Sequence, residues 1–230
     1  MSIAELDQNL LFLLNGSESL YLDGFMWTVT KTVTWIPFIL AFVWLIVHNN
    51  DIRRTFFVIF FLFLVVVLCD QISSSFVKPY FHRLRPTHDP EIGPFVDIVN
   101  GYRGGMYGFF SSHAANTFGV AFFVSFLLRH WSSTLVLFSW ATISSYSRIY
   151  LGVHYPFDVI CGACFGALVG VIFYFLYLLI QRKYASLQSF YSSAYTKSGY
   201  LVSDIILFNL VYVLTCGYVA FRAIVYASVF

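Results

Sequence analysis

Apolar residues run through this chain in long blocks separated by short polar stretches, and that spacing sets its architecture. Blocks that reach or approach the roughly 20 residues a helix needs to cross a bilayer cover residues 24–47, 55–77, 109–128, 133–149, 156–180 and 201–226. The fourth is the shortest. The expectation is an all-α, polytopic membrane helix bundle of about six transmembrane helices. Ahead of them, Ile3, Leu6, Leu10, Leu13 and Leu14 recur at helical spacing with Glu5, Asp7, Gln8 and Asn9 between, the pattern of an amphipathic helix lying on the membrane. The opening segment has no basic stretch and no small-residue cleavage site, so a signal peptide is not expected. No repeat, low-complexity tract or flexible linker divides the chain, and residues 1–230 read as one domain.

Composition removes the soluble alternatives. The chain is 59% hydrophobic, 21% aromatic and only 10% charged, with a mean hydropathy of +0.77. Too few polar residues are present to cover a core facing water. The net charge of +2 signals no polyanionic partner, and no nucleic acid is expected. The placement of the cations says more. With alternating helices, Arg53, Arg54, Arg129, Arg182, Lys183 and Lys197 share one side, which the positive-inside rule makes cytoplasmic. The opposite helix ends then face outside, toward the periplasm of a bacterium whose inner membrane holds the protein. Cys69, Cys161, Cys164 and Cys216 all fall within predicted helices, so no disulfide framework is expected. Cys161-Gly-Ala-Cys164, beside Gly162, Gly166 and Gly170, reads as a close-packing helix face and not a zinc or redox site.

Three short segments carry the chemistry. Lys78 and Arg85-Pro86 bracket a loop, Ser111-Ser112-His113 opens the third predicted span, and Ser147-Arg148 leads to His154 and Asp158 around the start of the fifth. All would converge at one membrane surface. Two histidines, a carboxylate and three cations at the ends of apolar runs form the inventory of a phosphoryl-transfer site, where negative charge on the equatorial oxygens must meet fixed donors. Lys78, Arg85 and Arg148 would supply charge and Ser111 a hydroxyl donor. The backbone N–H groups of Ser112 and His113 lie at a helix start, where an anion is favoured.

This pattern, Lys-x6-Arg-Pro, then Ser-x-His, then Ser-Arg-x5-His-x3-Asp, resembles the PAP2 (type 2 phosphatidic acid phosphatase) family of integral-membrane lipid phosphatases, which shares its site with the vanadium haloperoxidases. The resemblance covers roughly residues 55–180, leaving the last hydrophobic stretch outside. One departure is plain: the family's second motif usually reads Pro-Ser-Gly-His, whereas here it is Phe110-Ser111-Ser112-His113. The resemblance implies that His154 is the nucleophile and forms a phosphohistidine. Asp158 would fix the tautomer of His154, and His113 would protonate the leaving oxygen. It implies no cofactor and no metal. The implied partners are a lipid phosphate substrate and the surrounding membrane lipids, and the oligomeric state stays open. Among relatives of this kind, undecaprenyl diphosphate ranks first as substrate, lipid A phosphate close behind, and phosphatidylglycerol phosphate or a lipid-to-lipid phosphotransfer after them.

Other polar residues have weaker claims. Asp70 in the second apolar block reads as a structural hydrogen-bonding group, with a catalytic or substrate role as the alternative. His48 and His130 flank turns and read as solvated. The loop of residues 87–108 is long enough to be functional and is expected to cover the headgroup, with Tyr102, Arg103 and Tyr107 as contacts, and His82 and His88 also lie in this outer region. A haloperoxidase would be soluble, and a transporter or scaffold would leave the motif residues unexplained.

Overall fold

The computed structural model describes residues 2–184 and 193–229, the side chains of residues 182–184 excepted. Nine α-helices run through them: α1 (Ile3–Leu14), α2 (Leu20–Val29), α3 (Ile36–Asn49), α4 (Ile52–Gln71), α5 (Lys78–Phe81), α6 (Ser112–Leu128), α7 (Trp131–Tyr150), α8 (Pro156–Tyr184) and α9 (Val202–Val229). Strand-like pairing among the described residues is limited to two isolated bridges, Leu84 with Tyr107 and Tyr195 with Leu201. Four stretches are long and apolar enough to cross a membrane: Thr32–Asn49, Ile52–Phe81, Pro156–Gln181 and Val202–Val229. Their outer faces carry Leu40, Phe56, Phe63, Phe175, Leu214 and Phe221, all exposed. Such a surface suits hydrocarbon and not water.

All six predicted spans are helical, but two differ from a plain crossing. The first is broken. Pro37 lacks an N–H and opens α3, so a single helix through residues 24–47 cannot form. Instead α2 stops at Val29, a 3₁₀ turn covers Thr32–Trp35, and the carbonyls freed at the break accept bonds from Thr34 Oγ1 (to Thr28, 2.6 Å) and Trp35 Nε1 (to Val29, 2.8 Å). The second, α4, continues through a π-helical stretch, Ile72–Val77, before Lys78. Its wider turn shifts the helix face and brings Ser73 and Ser74 toward α6.

Helix α6 lies at the centre, packed on α4, α7 and α8, while α2 and α3 pack on α9, and α7 touches both groups. Small residues allow the closest of these approaches. A Cβ added at Gly162, Gly166 or Gly170 would fall on the backbone carbonyl of Ser111, Ala115 or Gly119. Spaced every fourth residue, these glycines form the stripe of α8 that lies on α6, as the Cys161–Gly170 pattern suggests. Cys161 and Cys164 themselves are exposed beside it, and all four cysteines are free.

At one end of the bundle Arg54 donates to the Ser198 carbonyl and to Tyr177, Ser198 Oγ donates to the Leu128 carbonyl, and Asn50 donates to Tyr200. Of the basic residues that the positive-inside rule groups, Arg54 thus ties the start of α4 to the segment before α9, which Ser198 ties to the end of α6. Arg182 and Lys183 have side chains outside the described set. Here, too, His48 is exposed as expected, and its Nδ1 lies 2.8 Å from Asp204.

Helix α1 forms as expected, with Ile3, Phe12 and Leu13 exposed, but one of its polar residues turns inward. Its N-terminus is closed by a Ser2/Glu5 capping box. The inward face, however, carries Asp7 and Leu11, one turn apart and both essentially buried. Leu11 packs with Ile92, Val96 and Tyr155, so α1 straps the outer loop onto the segment that leads into α8. Replacing Gly166 by Val should collide with the Ala115 backbone and cost on the order of 1–3 kcal/mol or more. Gly217→Ala, in open space, should leave the thermal midpoint in detergent unchanged.

Candidate active site

Four chain segments deliver the predicted residues to the end of the bundle opposite Arg54. Lys78 follows the π stretch of α4. His82, at φ 49°, ends α5 in the left-handed region, and the chain returns through Arg83 and Arg85. The N–H of Arg85 donates to the Met106 carbonyl and that of Gly108 to Arg83, fastening this loop to its return strand. Ser111 caps α6, its Oγ accepting from the Ala114 N–H at 3.4 Å, and its own N–H donates to the Asp158 carbonyl at 3.0 Å. Arg148 ends α7. Gly152, at φ +68°, then turns the chain so that the N–H groups of Val153 and His154 both return to the Arg148 carbonyl. Asp158 closes the first turn of α8 by accepting the Tyr155 N–H at 3.1 Å.

His154 and Asp158 are buried. The Nδ1 of His154 lies 3.5 Å from Asp158 Oδ2, longer than a well-formed hydrogen bond. With Nδ1 turned to the carboxylate, Nε2 is the ring nitrogen left to meet a substrate. Arg85 donates through Nε to the Tyr107 carbonyl (3.1 Å), and Arg148 donates to Thr30 Oγ1 (2.7 Å) and the Tyr102 hydroxyl (3.1 Å). Arg85 Nη1 and Arg148 Nε remain buried donors with no protein acceptor. Lys78 donates to Ser112 Oγ at 2.7 Å, and Ser73 and Ser74 also reach that hydroxyl. The residue that departs from the family's glycine is therefore what holds Lys78. His113, second residue of α6, faces a cavity between the helices, and its field and that of the three cations reach His154.

Burial, reinforced by Arg85, Arg148, Lys78 and His113, holds the His154 ring well below the ordinary value, in the neutral form a nucleophile requires. Burial and the neighbouring Arg148 likewise lower Arg85. At Arg83 burial opposes the charge, but Asp158 and Asp7 more than offset it. For Tyr102 burial works against ionisation and Arg148 outweighs it.

Arg83 and Asp7 were not among the residues the motifs single out. Arg83 bridges Asp158 Oδ1 and Asp7 Oδ2, both at 2.6 Å, and its guanidinium lies 4.2 Å from the centre of the Tyr155 ring. Asp7 also accepts the Phe157 N–H at 2.9 Å. An acid on an amphipathic helix reads as solvated, so the sequence carries no sign that it points inward. Thr30, which receives Arg148, is placed only by the break between α2 and α3. Of the outer loop, Tyr102 reaches the site, whereas Arg103 turns back to the Thr87 carbonyl and His88 lies near the Gly104 carbonyl at 3.3 Å. His82 rests against the Tyr107 ring. The Asp70 side chain has no hydrogen bond among the described residues; it reaches Lys78 and Cys69 through its field. Also among the described residues, no three His, Cys, Asp or Glu side chains gather as a metal site would need.

Arg83→Met should leave two buried carboxylates facing each other and lower stability by about 3–5 kcal/mol, read as a fall in the thermal midpoint. His154 gives a pH signature. The unfolded chain binds a proton below about pH 6.5 that the folded chain refuses, so stability falls as pH drops through that value. His154→Gln should flatten this slope in thermal unfolding between about pH 7 and pH 5.

Comparison with known proteins supplies the family. The PAP2 superfamily model matches residues 57–183. A "Lipid A 4'-phosphatase" of Porphyromonas gingivalis is 35% identical over 216 residues, covering 93% of this chain and 92% of its own. A second protein of that name, from Bacteroides thetaiotaomicron, is 39% identical over 177 residues, or 76% of this chain and 78% of its own. Among solved structures, Aquifex aeolicus LpxE aligns with a TM-score of 0.55 and 25% identity, covering 75% of this chain and 98% of its own. A PAP2-type phosphatidylglycerolphosphate phosphatase from Bacillus subtilis shares the fold, with a TM-score of 0.55, 20% identity, and coverage of 80% and 87%. On the family match and the near full-length Porphyromonas gingivalis relative, the chain belongs to the PAP2 superfamily.

Proposed function

We propose that this protein is a membrane lipid phosphatase that removes a phosphate from lipid A by way of a phosphohistidine. The observation that carries the reading is the buried His154, its Nδ1 turned to Asp158 and its neighbourhood filled by Lys78, Arg85 and Arg148. The substrate order expected from sequence changes here. Two relatives named Lipid A 4'-phosphatase support lipid A over undecaprenyl diphosphate.

In this scheme the phosphate oxygens accept from Arg85 Nη1, Arg148 Nε, Lys78 and the N–H groups at the start of α6, which offset charge as it builds on the equatorial oxygens. His154 Nε2 attacks phosphorus, the bond to the lipid oxygen breaks, and His113 gives that oxygen a proton. Water then attacks the phosphohistidine, with His113 taking its proton, and inorganic phosphate leaves. Asp158 holds the ring through Nδ1–H and balances the charge that forms on it, as Arg83 holds Asp158. The cation cluster serves where another enzyme would use a metal.

Phosphate release from lipid A, undecaprenyl diphosphate and phosphatidylglycerol phosphate by the purified protein tests the reading. Lipid A should be turned over fastest, chelator should leave the rate intact, and acid quench should trap labelled phosphate on the protein. His154→Ala should abolish turnover, and Asp158→Asn should lower it by orders of magnitude with losses that do not add. A fully active His154→Ala protein would sink the mechanism, and a faster rate on undecaprenyl diphosphate would restore the other substrate.

The site's orientation follows from the cations grouped at the opposite end: we place it on the periplasmic face of the inner membrane. Single cysteines at Phe95 and Ile52, both exposed, in a cysteine-free background should behave oppositely toward an impermeant thiol reagent on spheroplasts. Phe95→Cys should be labelled and Ile52→Cys protected; the reverse pattern inverts the topology.

A further inference from the structure

Asp7 is a buried acid that the phosphoryl-transfer scheme does not use. It lies on α1, outside the residues 57–183 that the family model matches, and is 1% exposed. Its Oδ1 accepts the Phe157 N–H at 2.9 Å, and its Oδ2 accepts from Arg83 Nη2 at 2.6 Å. The first bond fixes the carboxylate against the opening turn of α8, where the positive end of a helix favours an anion. The second engages one arm of a guanidinium whose other arm, Nη1, donates to Asp158 Oδ1 at 2.6 Å.

How Arg83 divides its arms decides what Asp158 can offer His154. An arginine facing a lone carboxylate favours the forked pair, in which each arm donates to one of the two oxygens. Asp158 cannot enter such a pair and still serve His154. Its Oδ2 already accepts the Tyr155 N–H at 3.1 Å and faces His154 Nδ1 at 3.5 Å. A carboxylate oxygen has lone pairs for about two donors, so a third arriving from Arg83 displaces one of them. The backbone N–H is fixed by the helix start and stays. The imidazole, at the longest of these distances, is the donor that is lost. The Tyr155 ring, 4.2 Å from the guanidinium carbon, supports one side of Arg83 without fixing which way its arms turn.

We infer that Asp7 is a positioning residue for phosphoryl transfer: by holding the second arm of Arg83 it keeps that arginine from closing on Asp158 with both arms, and so reserves Asp158 Oδ2 for His154. The inference rests on the phosphohistidine reading and deepens it, because it makes α1 part of what orients the nucleophile.

Two readouts test it, one of which needs no turnover. Nitrogen NMR of histidine-labelled protein in detergent, with His154→Gln to assign the signals, reports which ring nitrogen of His154 carries the proton. The unsubstituted protein should show the proton on Nδ1. Asp7→Asn keeps the shape but offers one oxygen to two donors, and should give a mixture of both tautomers. On lipid A it should lower kcat about ten-fold, the size of one net hydrogen bond, with KM within about two-fold. Arg83→Lys added to Asp7→Asn should move both readouts back toward the unsubstituted protein, because a single ammonium cannot fork onto two oxygens. An Asp7 that served only packing would instead lose more with the second change. An unchanged tautomer in Asp7→Asn overturns the inference, and so does a double variant no better than the single one. If Asp7→Asn alone does not fold, the double variant is compared with Arg83→Lys, and a His154 tautomer that differs between those two overturns it. Absence of phosphate release by the unsubstituted protein would overturn the phosphatase reading and leave the tautomer to decide the role of Asp7.

Discussion

Burying Asp158 is feasible only because a half-buried cation, Arg83, is paired with it, and much of the molecule is arranged around that pairing. The carboxylate has lost water, so each of its oxygens needs a protein donor; Arg83 and the Tyr155 N–H provide them. Arg83 in turn has one face on Tyr155 and its other arm on Asp7. A helix that sequence alone would place on the membrane is thereby fixed to the site. Without this chain of pairs, His154 would sit among cations with no negative group to orient it.

The cations face the opposite problem. Lys78, Arg85 and Arg148 repel one another at close range, yet the phosphate site we propose needs them close. Each is held by neutral acceptors: the Tyr107 carbonyl for Arg85, Thr30 and Tyr102 for Arg148, and Ser112 for Lys78. Neutral partners fix position without cancelling charge, which leaves the field available to an anion. Ser112 in place of the family's glycine fits this scheme, since its side chain is the acceptor that Lys78 uses.

Packing makes that convergence durable. Helix α8 lies against α6 so closely that three glycines meet backbone carbonyls, and the N–H of Ser111 bonds to the carbonyl of Asp158 itself. The helix starts that carry His113 and Asp158 are thus held at a fixed spacing. On the other side of α6 packing is looser, and the cavity toward α3 and α4 opens from the same residue, His113. A rigid contact and a void thus flank α6.

Much of this was legible in the sequence because it is written in local pattern. Apolar block length gives the helices, and three spaced motifs give His113, Arg148, His154, Asp158, Lys78 and Arg85, since each motif residue lies at a helix end that hydropathy already marks. The stripe of Gly162, Gly166 and Gly170 was readable for the same reason, being a repeat along one helix. Contacts between distant segments were not. Asp7 looks solvated on its own helix, and only the tertiary fold turns it onto Arg83, 76 residues away. Thr30 reaches Arg148 because Pro37 forces a break whose direction no periodicity encodes. Hydrophobic period specifies which face of an element is buried, whereas the partner it is buried against depends on packing across the whole chain.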